Sequence, residues 1–298
     1  MTMQQRPFQP KFHSIANGHR KRIRNHGFTL IELAIVLVIV GLVLGGLLLP
    51  LAQKVQSRRL NEAEAQLREI KESLFGYAIA NGRLPCPASL ASNGLEDRRN
   101  DDATKGSVDL QKEGCRNGIY AGFLPWVTLG VPETDAWGNR FGYRVTNEFT
   151  RAKDDATAND LINCVSPPPV ALGTDPNTCT LDLTDAGALS VETRDGSTKT
   201  KRNLSTLVPA VIISYGKNGF GSTSGFNIAQ PNPPAANIDE TQNLNPVSLV
   251  FMSRTATDSQ NGCSDTAAAQ PYCEFDDMVT WIPTTVLFNR LLSAGRLP

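Results

Sequence analysis

Glu32 is the only ionisable residue in an apolar block that runs from Phe28 to Ala52. A carboxylate on a helix within a bilayer costs about 2.5–3.5 kcal/mol, so one placed there calls for a function. It has two outlets. It can meet a buried cation, which offsets much of the cost of both charges, or reach the headgroup layer a few residues away. Six cysteines form a second set: Cys86, Cys115, Cys164, Cys179, Cys263 and Cys273, an even number with no CxxC pair. That spacing disfavours zinc and thioredoxin-like chemistry and favours disulfides in an oxidising compartment. A third set is acidic: Asp276 and Asp277 with Glu274 beside them, and Asp154, Asp155 and Asp160 elsewhere. The chain has only three histidines, His13, His19 and His26, all ahead of Gly27.

The elements that must position these groups begin with the apolar block. Leu33 to Ala52 is a run of 20 residues without a charged or strongly polar side chain. At 1.5 Å rise per residue it covers roughly the 30 Å of a bilayer core. Six cations precede it (Arg6, Lys11, Arg20, Lys21, Arg22 and Arg24) and three follow it (Lys54, Arg58 and Arg59). That bias places the N-terminus in the cytoplasm and the remainder outside. A secretory signal fits poorly, because its apolar core is shorter and Pro50 stands where a small residue is needed for cleavage. A plain single-pass anchor accounts for the run but not for Gly27, Phe28 and Glu32 together.

The arrangement GFTLIE, Gly27 to Glu32, with cations before it and a long apolar run after it, resembles the processing site of type IV pilins and type II secretion pseudopilins. The resemblance implies cytoplasmic cleavage between Gly27 and Phe28 by a prepilin peptidase and methylation of the new Phe28 amine. It also implies that Glu32 pairs with the Phe28 amine of a neighbouring subunit and so sets axial register. An inner-membrane assembly platform and a cytoplasmic ATPase are further implied partners. Without the leader, the 29 basic and 29 acidic groups of the whole chain become 23 and 29, because its six cations leave with it. The histidines leave too, which argues against a His general base, a Ser-His or Cys-His pair, or a His-rich metal site. An acidic mature chain has no electrostatic footprint for nucleic acid.

Beyond the apolar run, Leu60, Ala63, Leu67, Ile70 and Leu74 keep helical spacing, and Glu64 with Arg68 makes an i,i+4 pair. One helix is therefore expected from about Phe28 to Ala80, loosened at Gly45-Gly46 and Pro50 and ended by Asn81-Gly82. Residues 83–298 read as an extracytoplasmic α+β domain. Expected strands are Arg140–Asn147, Val208–Tyr215, Val247–Ser253 and Phe275–Ile282, in antiparallel sheets. A long surface loop should fill much of the stretch between the second and third. A short last helix is capped by Thr284 or Thr285, carries Val286, Leu287, Leu291 and Leu292 on its apolar face, and ends at Gly295.

Fifteen disulfide connectivities exist for six cysteines. The sequential one, Cys86–Cys115, Cys164–Cys179 and Cys263–Cys273, is favoured because each pair brackets a loop with little core of its own. Thr134–Val145, TDAWGNRFGYRV, resembles the Asp-x-Trp-Gly-Asn turn of pseudopilins, a structural device. GKNGFG at Gly216–Gly221 lacks the ending of a phosphate-binding loop and is read as a hairpin turn. The resemblance raises calcium as the one cofactor, with Asp276 and Asp277 as ligands. They lack the D-x-D-x-D-G spacing, and caps for nearby amides explain them better.

The expected organisation is a leader over 1–27, a membrane half-helix over 28–52, an amphipathic half over 53–82, and a domain over 83–298. The expected function is a non-enzymatic, minor subunit of a type IV pilus or secretion pseudopilus, anchored in the inner membrane with a periplasmic domain. The alternative is a filament-borne adhesin or substrate-binding subunit acting through that domain.

Overall fold

A computed structural model describes residues 29–98, 115–150, 181 and 186–296, with the side chains of 44–52 and 117 outside the description. The chain divides into two compact units, Met1–Lys54 and Val55–Pro298.

Helix α1 spans Leu30–Asn81 and stays helical through Gly45, Gly46 and Pro50. Gly82, at φ +68°, ends it, donating its amide to the Ala78 carbonyl at 2.8 Å. Among the described residues no helix is long and apolar enough to cross a membrane. The second half of the apolar run lies outside that test.

The second unit is α+β and layered. β1 (Ala121–Phe123), the short α2 (Trp126–Leu129) and β2 (Gly142–Val145) come first. β3 (Leu189–Arg194), β4 (Lys201–Val208) and β5 (Ala210–Ser214) follow, then α3 (Ile238–Leu244), β6 (Val250–Met252), β7 (Met278–Ile282) and α4 (Thr284–Ser293). Four strands form an antiparallel sheet in the order β1-β2-β5-β7, and three form a second sheet in the order β4-β3-β6. The α1 stripe Leu67, Ile70, Leu74 and Ala78 is buried with Leu287 and Leu291 of α4 against Tyr143, Ile212 and Ile282. On the opposite face, Val211 and Ile213 pack with Leu189, Val191 and Phe251 of the second sheet. β5 is therefore covered on both faces, and all five of its residues, AVIIS, are buried. That is why its apolar run lacks alternation.

Four expected strands are present with trimmed ends, as β2, β5, β6 and β7. Three went unread. β1 is three residues with a central glycine, β3 turns polar after Val191, and β4 is largely polar and exposed on both faces up to Val208. The expectation of purely antiparallel sheets fails at β3 and β6, which pair in parallel from Ser190↔Val250 to Glu192↔Met252. The last helix takes Pro283 as its N-cap, while the Thr284 hydroxyl donates to the Leu207 carbonyl at 2.5 Å. Its buried face includes Phe288, and Val286 and Leu292 are exposed. Gly295, at φ +69°, closes it as expected.

Cys86–Cys115 and Cys263–Cys273 are bonded, as the sequential pairing expects. Cys164 and Cys179 lie outside the described residues. Glu96 ties the first bridge to the end of α1. Its carboxylate accepts from the Tyr77 hydroxyl at 2.8 Å, from both Arg83 guanidinium nitrogens, and from the Cys86 amide.

Candidate functional site

Gly27 and Phe28 lie outside the described residues, whereas Glu32 sits in the first turn of α1. Thr29 precedes the helix. Its hydroxyl accepts the Glu32 amide at 3.3 Å and its carbonyl accepts the Leu33 amide at 3.1 Å. Thr-x-x-Glu ahead of an apolar run is the signature of a capped helix start, legible in the sequence yet absent from the expectations above. The cap begins the helix one residue after Thr29. A carboxylate in that first turn also opposes the positive end of the helix dipole. From Leu30 to Val43 the helix has no buried side. Every large apolar residue from Leu30 to Val43 is exposed, from 44 % at Val40 to 90 % at Leu30.

In the domain the structure brings Asp276 and Asp277 together with Glu240, which sequence spacing could not indicate across 36 residues. One oxygen of each carboxylate lies within 4.8 Å of the others, the spacing of a hard-cation site. Donor geometry argues against a cation. Glu240 accepts from Asn218 Nδ2 at 3.0 and 3.2 Å, from Asn237 Nδ2 at 2.7 Å and from the Asp276 amide at 3.0 Å. Asp277 accepts from Asn243 Nδ2 at 2.8 Å, and Asp276 accepts the Asn218 amide at 2.9 Å.

None of the three asparagines can turn its oxygen inward without loss. Asn218 Oδ1 accepts the Phe220 amide, Asn237 Oδ1 accepts the Glu240 amide, and Asn243 Oδ1 accepts the Met252 amide. Calcium requires six to eight oxygens, and here Glu240 spends both of its own on N–H donors. The residues do not fit calcium. Asp276 caps the Asn218 amide through one oxygen while its other oxygen is buried without a partner, and Asp277 accepts from the Asn243 side chain. Burial pushes Glu240 up to about 7 and Asp276 up to about 6, and holds Asp277 well above the usual carboxylate range. Asp154, Asp155 and Asp160 lie outside the described residues.

The same region corrects two further expectations. The stretch between β5 and β6 is not only loop. It contains α3, whose Asp239, Glu240 and Asn243 are buried. Asp239 joins Arg194 at 2.7 Å and Arg254 at 2.8 Å, and Arg254 reaches Asp265 inside the Cys263–Cys273 loop. Asn218-Gly219 makes a tight turn, closed by the Gly219 amide on the Tyr215 carbonyl at 3.0 Å. It is not a hairpin, because the next strand, β6, belongs to the other sheet. The Asp-x-Trp-Gly-Asn turn does form. Asp135 accepts the Trp137 and Asn139 amides at 3.0 Å each, and Gly138 takes φ +89°. Ser214 donates to the other Asp135 oxygen at 2.7 Å, and Gln66 of α1 reaches the Thr134 carbonyl at 3.4 Å, so the turn is tied to both sheet and helix.

No curated protein and no solved structure matches the chain. Residues 22–48 match the family described as the prokaryotic N-terminal methylation motif. That match covers Arg22 and Arg24, Gly27, Phe28, the Thr29 cap, Glu32 and the exposed apolar stretch from Leu30 to Val43. It implies processing by prepilin peptidase and assembly with other pilin-like subunits. The chain carries the prepilin-type signal of type IV pilins and pseudopilins.

Proposed function

We propose that the chain is a minor structural subunit of a type IV pilus or type II secretion pseudopilus, cut after Gly27 and polymerised through α1. The observation that carries this reading is the unbroken exposure of apolar side chains from Leu30 to Val43 beside a single carboxylate. A surface of that kind cannot stay in water. It is stable in lipid before assembly and against other subunits afterwards. The membrane span over 33–52, the cytoplasmic leader and the periplasmic domain follow from the cation bias. Pairing Glu32 with the Phe28 amine of a neighbour neutralises two charges that would each be costly alone, and it penalises any axial slip. The size of the domain over 83–298 favours a minor subunit over an abundant one, and the loss of every histidine on cleavage favours a non-enzymatic role. The test is mass spectrometry of the membrane fraction. The mature chain should begin at methylated Phe28, and Gly27→Val should leave the 27-residue leader in place. A mature terminus anywhere else defeats the reading.

A further inference from the structure

The first turns of α1 beyond the apolar run carry charge of one sign only. Between Leu33 and Asn61 the charged residues are Lys54, Arg58 and Arg59, and acids resume at Glu62 and Glu64. All three cations are exposed. Among the described residues none of them makes an ion pair or a side-chain hydrogen bond. Glu62 stands one turn beyond Arg58 without pairing with it, and Glu64 is taken by Arg68 at 3.7 Å. The domain does not use them either. Lys54 precedes the buried Ala63 by nine residues, and Arg58 precedes the buried Leu67 by the same interval. At 3.6 residues per turn that interval is roughly two and a half turns, so both cations face away from the stripe that docks α1.

Their height along the helix is fixed as well. α1 is continuous from Leu30 to Asn81. Lys54 and Arg59 therefore stand about 3 and about 10 Å beyond Ala52, where the apolar run ends, at 1.5 Å of rise per residue. A headgroup layer is roughly 5–7 Å deep on each side of the bilayer core. Side chains lean towards the N-terminus of a helix, here the side of the apolar run, so Arg58 and Arg59 reach back into that layer. Cations on this side of a membrane also oppose the orientation that the leader sets, so three of them together call for a function.

We propose that Lys54, Arg58 and Arg59 form a collar that binds anionic phospholipid headgroups, such as phosphatidylglycerol, and holds the subunit at a fixed depth before assembly. Charge complementarity selects the partner: three unpaired cations sit level with a layer of phosphates, at the place where the apolar helix already requires lipid. A guanidinium can give a phosphate two parallel hydrogen bonds, so the two arginines add geometry to the charge that the lysine supplies. The inference rests on the membrane reading of α1 and adds the headgroup chemistry that its far end selects.

The test uses the full-length protein in vesicles of phosphatidylcholine and phosphatidylglycerol. Flotation reports insertion, and spin-labelled lipids report which headgroup occupies the protein boundary. Phosphatidylglycerol should be preferred. Lys54→Gln, Arg58→Gln and Arg59→Gln combined should cut that preference by about threefold or more, against the roughly fivefold that one unscreened surface cation is worth. The six leader cations are unchanged in that variant, so they cannot account for the loss. Arg68→Gln, farther along the helix, should leave the preference as it is. Molar sodium chloride should erode it, and sodium phosphate should do no more than chloride at equal ionic strength. A protein that fails to float would defeat the membrane reading and the collar together. Flotation with an unchanged preference in the triple variant would defeat the collar alone, and loss of filament incorporation in that same variant would assign the cations to a neighbouring subunit. Stronger competition by phosphate would also overturn the collar, because it would mark a site for the free anion.

Discussion

Leu30–Val43 and Ala63–Ala78 belong to one helix, yet they solve opposite problems. The second stretch buries Ala63, Leu67, Ile70, Leu74 and Ala78 along one stripe and leaves Glu64, Arg68 and Glu72 to water. The first buries nothing. A helix that is apolar all round has no face to turn towards a domain and none to turn towards solvent, so its partner must come from outside the chain. Periodicity in the one and its absence in the other therefore separate self-contained folding from assembly.

The sharpest way to break this contrast is at Glu32. Glu32→Ala should leave cleavage after Gly27 intact and lower incorporation into filaments by at least about tenfold, because the neighbour's amine is left unpaired. Equal incorporation, scored by immunoblot of sheared filaments, would remove the assembly role. Next come paired truncations along α1. Leu74→Ala should destabilise the domain by about 2–5 kcal/mol, the cost of a cavity at a fully buried leucine. Leu37→Ala should change thermal unfolding by less than about 0.5 kcal/mol and act only on assembly. If the two shifted unfolding alike, the contrast between the halves would be lost.

The smallest effect concerns the acidic cluster. Glu240, Asp276 and Asp277 have carboxyl pKa values raised by burial, so each is easier to ionise unfolded than folded. Their stabilising protonation is complete below the unfolded pKa near 4 and is lost as pH rises through the folded values of about 6 and about 7. Stability should fall between pH 5 and pH 8, by on the order of 2 kcal/mol for Glu240 alone. Asp277→Asn, which can still accept from Asn243, should shrink the fall. Millimolar calcium should leave the curve unchanged, and a calcium-dependent rise at pH 8 would restore the cation site that the asparagine donors argue against.

Local chemistry was legible wherever a residue's role is set by its neighbours in the chain. The apolar run, Asn81-Gly82, the Asp135 turn, Gly295 and the two short-range disulfides all fall in that class. So does the Thr29 cap, visible as Thr-x-x-Glu. The strands β3 and β4 were harder to read, because β3 alternates only from Leu189 to Val191 before turning polar and β4 is exposed on both faces along most of its length, which leaves little of the alternation that marks a half-buried strand. The acidic cluster was half legible. Asp276 and Asp277 announce themselves, but Glu240 and its asparagines reach them only because α3 folds back beneath β6.

The amino-acid sequence by itself determined the start of α1, its length, the prepilin-type signal at its head and the stripe that docks it, since each depends on residues within a few turns of one another. Only the tertiary structure decided the parallel pairing of β3 with β6 and the three-carboxylate cluster. Those depend on contacts between segments tens of residues apart, where the closing of a loop and the burial of a charge outweigh local preference.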